Sequence, residues 1–272
     1  MTSIRRWAWA SLVNSAARHW SLLIVCIGLT ASALCQTDGA RAYEAFQAWR
    51  SEPANASLPW DAAIEKYQAK LSAEGISDGD AAKTIRIITA RDEGAFYDGI
   101  YSKPPKFQTL PSALLAEAIR NRPPGKALDV DMGQGRNSIC LARHGWNVTG
   151  FDVSRAGLAE AARLAASAGV HIKTVLASDE EFDFGSDRWD LIVILYPLEK
   201  RSVYKARNAL KPGGVVVVEC SHKEPGDKSF GLETNELLKI FDGFRILKYE
   251  DKPGVHEWSG KNVRLVRLIA EK

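Results

Sequence analysis

The chain lacks the residue spacings of a metal site or a disulfide scaffold. Its four cysteines, Cys26, Cys35, Cys140 and Cys220, fit neither a zinc site nor a dithiol pair. All four read as small buried hydrophobes. His144, His171, His222 and His256 have no ligand spacing either, so no metal is implied. Concentrated positive charge is also missing. With a net charge of +3 and no run of lysine or arginine, nothing offers nucleic acid an electrostatic footprint, and none is expected as a partner. Internal repeats are absent too. What remains, at 46% hydrophobic and 25% charged residues over 272 positions, is an ordinary globular composition with room for one large core.

The N-terminus departs from that composition. Arg5, Arg6 and Arg18 precede the uncharged stretch WSLLIVCIGLTASALCQT, whose most apolar part spans the 13 residues from Leu22 to Leu34. That is within signal-peptide range and short of the ~20 residues of a spanning helix. Residues 1–35 are therefore expected to be a signal peptide, with small residues for cleavage after Ala33 or Cys35, or a membrane anchor. A wrongly assigned start is the third reading.

Residues 36–122 read as a helical prelude. DAAIEKYQAKLSAEG places Ile64, Tyr67 and Leu71 on one face and ends at Gly75, where a C-terminal cap belongs. Ser77 with Asp80 resembles a capping box for a second helix carrying Ala81, Ile85, Ile88 and Phe96. Pro104 and Pro105 break the chain, and a third helix ends at Pro123, Pro124 and Gly125. From Lys126 the rhythm changes. KALDVD, NVTGFDV, HIKTVLA, WDLIVIL and GVVVVEC alternate with helical stretches, which predicts a parallel sheet covered on both faces. FRILKYEDK and NVRLVRLIAEK, joined by the turn-rich PGVHEWSGK, predict an antiparallel hairpin at the sheet edge.

Two elements point to a ligand. ALDVDMGQGRN runs from a strand through Gly133 and Gly135 into a helix, whose unpaired first amides suit an anionic or carboxylate-bearing group. Some twenty residues on, NVTGFDVS ends in Asp152, where an acid can accept from both ribose hydroxyls. Asp152 could instead share the N-cap of the next helix with Ser154. A nucleoside ligand fits the pair.

With these motifs the sequence resembles the class I S-adenosylmethionine-dependent methyltransferases. LDVDMGQGRN is similar to the family's first motif, GFDVS to its second, SDEEFDF to its third, DRWDLIVILYP to its fourth, and LKPGGVVVVE to its fifth strand and preceding turn. Gly135-Arg136-Asn137 is most similar to the tellurite-resistance type of small-molecule methyltransferase. The resemblance runs from about Lys126 to the C-terminus and implies that residues 123–272 form a domain of Rossmann-like α/β fold: a doubly wound, seven-stranded, mostly parallel sheet with an antiparallel C-terminal hairpin.

It also implies S-adenosylmethionine as cofactor and a small-molecule acceptor. Asp129 would orient the loop or meet the methionine ammonium. Asp131, Met132, Gly133, Gln134, Gly135, Arg136 and Asn137 would surround the methionine and ribose, and Asp152 and Val153 the ribose. Asp179, Glu180 and Phe182 would flank the adenine. Leu195 and Tyr196 would face the sulfonium and the acceptor. Tyr97 and Tyr101 would belong to a lid over the acceptor, and no general base is nominated.

Asp131 departs from the family pattern, standing at the first glycine of GxGxG, and is expected to weaken cofactor binding without abolishing it. Two alternatives follow. One is a degenerate binding module that kept the fold, which the apparent export signal favours because the cofactor is made in the cytoplasm. The other is a nicotinamide-dependent oxidoreductase, whose GxGxxG would need glycine or alanine at Ser138.

Overall fold

The computed structural model describes the backbone of residues 31–104, 109–197, 200–223 and 231–272, with side chains from Gly39 onward. Residues 1–30, most of the expected export or anchor segment, lie outside the described residues. Among the described residues no helix is long and apolar enough to cross a membrane.

The prelude begins with α1 (Ala31–Ser51), α2 (Trp60–Ala73) and α3 (Asp78–Tyr101). Gly75, at φ +88°, turns the chain after α2, and the Ser77 hydroxyl accepts from the Asp80 amide at 3.2 Å to cap α3. The three helices share an aromatic core of Phe46, Trp49, Tyr67, Ile85 and Ile88. Phe96, expected on the buried face of α3, is instead 66% exposed. The positions that follow Ile88 inward are Gly94, Asp98 and Tyr101, because the last turns of α3 leave the prelude core and run across the neighbouring sheet.

That sheet has the order β3-β2-β1-β4-β5-β7-β6. Its parallel strands are β1 (Lys126–Val130), β2 (Asn147–Asp152), β3 (Lys173–Leu176), β4 (Trp189–Leu195) and β5 (Leu210–Ser221). β6 (Arg245–Val255) and β7 (Asn262–Glu271) form the antiparallel hairpin, with β7 inside against β5 and β6 at the edge. The expected seven-stranded doubly wound sheet with its terminal hairpin is therefore the observed one.

Side chains alternate along the strands between two cores. Leu128, Val130, Ile192, Ile194, Val216 and Val218 face α7 (Lys200–Ala209) and α8 (Glu236–Ile240). Ala127, Leu191, Val193, Val215 and Val217 face α4 (Ala113–Ile119), α5 (Arg136–Arg143) and α6 (Arg155–Ser167). Runs buried on both faces explain why the central strands read as continuous valine, isoleucine and leucine. α4, read from sequence as prelude, packs into this second core through Leu114, Leu115 and Ile119. Cys220 is buried as expected, whereas Cys140 on α5 is partly exposed.

Candidate cofactor and acceptor site

The switch point of the sheet lies between β1 and β4, where crossovers leave in opposite directions and open a crevice at the strand ends. The β1–α5 loop enters it through three left-handed residues, Asp131 (φ 53°), Gly133 (φ 52°) and Gly135 (φ 76°). Asp131 thus holds the backbone conformation that glycine adopts freely and that aspartate tolerates better than most residues. Met132 pins the loop to β2, its amide donating to the Phe151 carbonyl at 3.0 Å and its sulfur lying over Gly150. Gly135 gives α5 and α6 close approach, since a Cβ there would stand 2.9 Å from that of Ala161.

Two buried carboxylates hold the loop from behind. Asp129 accepts from the Ser138 hydroxyl at 2.7 Å, and burial pushes its pKa up to about 6 against the pull of that bond. Asp152 accepts from the Gly133 amide and the Ser154 amide, both at 2.8 Å, and burial raises its pKa to about 6 as well. The N-cap of α6 is Ser154, whose hydroxyl accepts from the Gly157 amide at 3.0 Å. The Asp152 carboxylate keeps acceptor capacity beyond these amides.

α3 closes the crevice from above. Asp98 accepts from the Ser154 hydroxyl at 2.5 Å and the Ala156 amide at 2.8 Å. Gly94 touches the β2–α6 turn so closely that a Cβ would meet the Val153 carbonyl at 2.5 Å. Tyr101 spreads over the glycine loop, near both Gly133 and Gly157. Further back, Arg86 grips Glu180 with two nitrogens at 2.8 and 3.2 Å, and Arg91 pairs with Glu181 at 2.6 Å.

The other wall is the β6–β7 loop. Glu257 pairs with Arg136 at 2.6 Å, and Arg136 also donates to the Leu110 carbonyl at 2.8 Å. Trp258 meets Tyr97 and Tyr101 edge-on, at centroid separations of 6.2 and 5.8 Å. Tyr196, at φ 59°, lies tilted against the His256 ring with centroids 4.1 Å apart and donates its hydroxyl to Glu219. Glu219, buried in β5, is held in turn by Arg267. Burial lowers the His256 pKa, and its Nδ1 accepts from the Trp258 and Ser259 amides, which leaves the neutral ring's hydrogen on Nε2.

Between these walls lies a cavity of about 990 Å³. It brings together Asp131, Met132, Gly133, Gln134, Arg136, Asn137, Asp152, Leu195, Tyr97, Tyr101 and Tyr196 from the sequence expectation. Asp129, Gly135 and Val153 support it without lining it. Asn137 has a structural task as well, its side-chain oxygen accepting from the Ser112 amide at 3.0 Å.

The third motif sits elsewhere. Asp179 and Glu180 pair with Arg201, and the Phe182 ring stacks on Phe151 at 4.3 Å inside the core. Neither carboxylate nor this ring lines the cavity. Sequence reasoning did not pick out Glu93, His256, Glu257 and Trp258, which do line it, or Asp98 and Glu219, which position its walls. The one available signal was PGVHEWSGK, a hairpin turn unusually rich in histidine, acid and tryptophan.

The donor set fits S-adenosylmethionine: a left-handed loop at a helix start, an acid at the end of β2 and a Cβ-free floor at Gly133. Among the described residues no group of His, Cys, Asp and Glu could hold a metal.

Comparison with known proteins agrees with this geometry. Residues 127–214 match the family model described as Methyltransferase domain. The ribosomal RNA small subunit methyltransferase C of Alcanivorax borkumensis is 30% identical over 149 residues, which is 50% of this chain and 45% of that protein. The ubiquinone biosynthesis O-methyltransferase of Alkalilimnicola ehrlichii is 30% identical over 139 residues, 49% of this chain and 53% of that protein. The chain thus spans about half the length of these curated relatives. Among solved structures, TehB from Haemophilus influenzae shares the fold at a TM-score of 0.50 and 22% identity, covering 58% of this chain and 61% of that one. The cyclase SpnF does so at 0.54 and 17%, covering 67% and 96%. From its strand order, its glycine loop and these matches, the chain carries a class I S-adenosylmethionine-dependent methyltransferase domain.

Proposed function

We propose that the protein transfers a methyl group from S-adenosylmethionine to a small-molecule acceptor. The observation that carries this reading is the convergence of the left-handed loop, Asp152 and Tyr196 on one covered cavity. When bound, the cofactor supplies an electrophilic methyl on a sulfonium. The protein's own task is then to bind, orient and exclude water, with proton removal only where the acceptor demands it. Gly133 admits the methionine and ribose, Gly135 sets the close approach of α5 to α6 behind the loop, Asp152 accepts from the ribose hydroxyls, and Asp131 stands beside the methionine end. Tyr196 is tied as donor to Glu219 and as acceptor to the Glu257 amide, so it shapes the cavity and is not the base.

A small acceptor is supported by the cover: α3 and the β6–β7 loop leave a cavity suited to a cofactor with a compact partner. The alternative of a binding module that no longer turns over is favoured by one observation, Asp131 in the loop. An oxidoreductase is disfavoured because Ser138, where its fingerprint needs glycine or alanine, is committed to Asp129.

Calorimetry on the full chain tests the reading. S-adenosylmethionine and S-adenosylhomocysteine should bind and NAD should not. Absence of binding by both sulfur compounds would overturn it.

A further inference from the structure

The acceptor end of the cavity has a definite electrical character. Tyr97, Tyr101 and Trp258 form an aromatic wall with centroid separations of 5.8 to 6.2 Å, spacing that lets one cationic head meet more than one ring within the ~6 Å reach of a cation–π contact. Carboxylates accompany the rings: Glu93 and Asp131 line the same end, and both act with burial to push the Tyr97 pKa up to about 12. Among the described residues, the guanidinium groups lining the cavity are those of Arg136, paired with Glu257, and Arg143. Arg143 lies seven residues along α5 from Arg136, about 10 Å by helix rise.

We propose that the acceptor is an amine, with its nitrogen held against Tyr97, Tyr101 and Trp258 and facing Glu93 and Asp131. This rests on the methyltransferase reading and deepens it. Such a wall disfavours anionic nucleophiles. A phenolate or an oxyanion would meet ring faces and carboxylates of its own sign, with the Arg136 guanidinium already paired to Glu257. An amine reacts as the neutral base, after an ammonium has given its proton to a cavity carboxylate, and gains positive charge as the new bond forms. Its lone pair bonds the methyl carbon as the carbon–sulfur bond breaks, with that electron pair passing to sulfur. A primary or secondary amine then gives its proton to a cavity carboxylate, whereas a tertiary amine becomes a quaternary ammonium and moves no proton. In both cases the positive charge that begins on sulfur develops on nitrogen beside the rings, and it remains there for the tertiary amine.

The test uses the full chain saturated with S-adenosylhomocysteine and two probes of equal shape, choline and its uncharged isostere 3,3-dimethylbutan-1-ol, titrated by calorimetry. Choline is expected to bind at least tenfold more tightly. Trp258→Ala and, independently, Glu93→Gln should each shrink that ratio severalfold while S-adenosylhomocysteine affinity stays within twofold. Equal binding of the two probes, or preference for the alcohol, overturns the amine assignment and leaves the methyltransferase reading intact. Failure of S-adenosylhomocysteine itself to bind overturns both.

Discussion

Tyr101 lies directly over Gly133: a Cβ on that glycine would stand 2.5 Å from the tyrosine hydroxyl. The residue that opens the loop to a ligand and the residue that covers it are in contact, so each sets the space available to the other. Gly133→Ala should therefore fail twice. At φ 52° a side chain costs about 1–2 kcal/mol of backbone strain, and the new methyl must also displace the Tyr101 ring. We expect a lower unfolding midpoint in urea and S-adenosylhomocysteine affinity reduced at least tenfold. Unchanged affinity would remove Gly133 from the cofactor site.

Asp131 makes the opposite prediction. Because its φ is 53°, Asp131→Gly relieves strain where only glycine is at ease, and it removes a carboxylate from beside the methionine end. Stability should rise by up to about 1 kcal/mol in urea unfolding, and S-adenosylmethionine should bind more tightly. Affinity indifferent to this change would show that the aspartate does not perturb the site.

The pH dependence follows from Asp129 and Asp152, both raised to about 6 by burial from ordinary values near 3.8. Between pH 4 and 6 the folded protein holds protons that the unfolded chain has released. The stability these groups contribute is complete below pH 4 and is lost as pH rises through 6, about 3 kcal/mol for each at most. Carboxylates lowered by ion pairs, such as Glu180 and Glu271, slope the other way, so the clean measurement is a difference. Asp129→Asn should gain stability relative to the parent as pH climbs from 4 to 7. A difference that stays flat over this range would mean that Asp129 ionises normally. Cofactor affinity should strengthen over the same interval as Asp152 becomes a better acceptor.

Arg91 and Glu181 join α3 to the segment after β3 across a pair whose carboxylate is 1% exposed. Removing the cation leaves that charge uncompensated apart from its bonds to Ser178. Arg91→Met should cost about 3 kcal/mol, whereas the double change Arg91→Met with Glu181→Gln should restore much of it. Equal losses in the two variants would show that the pair does not act as a unit.

The sequence made the sheet legible because its strands are apolar on both faces and punctuated by glycine and proline, and the β1–α5 loop because a strand, two glycines and a helix start are contiguous. The cover was harder to read. Phe96 fits the period of α3 and still faces solvent, because the helix changes partner halfway from the prelude core to the sheet. Glu180 pairs with Arg86, 94 positions away, and nothing local to SDEEFDF announces that partner. His256 and Trp258 reach the cavity only because β6 and β7 carry their turn back over the strand ends, a result of sheet order that composition does not encode.

α3 is one unbroken helix of 24 residues, about 36 Å long at 1.5 Å per residue. Its contacts run from the segment after β3, through the end of β2, to the loop after β1, in the order Arg86, Arg91, Gly94, Asp98 and Tyr101. It therefore works as a gauge laid across three strand ends, and both pitch and phase must match. One residue added between Arg86 and Tyr101 would turn every later contact by 100° and leave Tyr101 off the glycine loop. The interval between those two residues is fixed by the architecture beneath it, while the chain before Asp78 can vary in length without shifting a single mark on the scale.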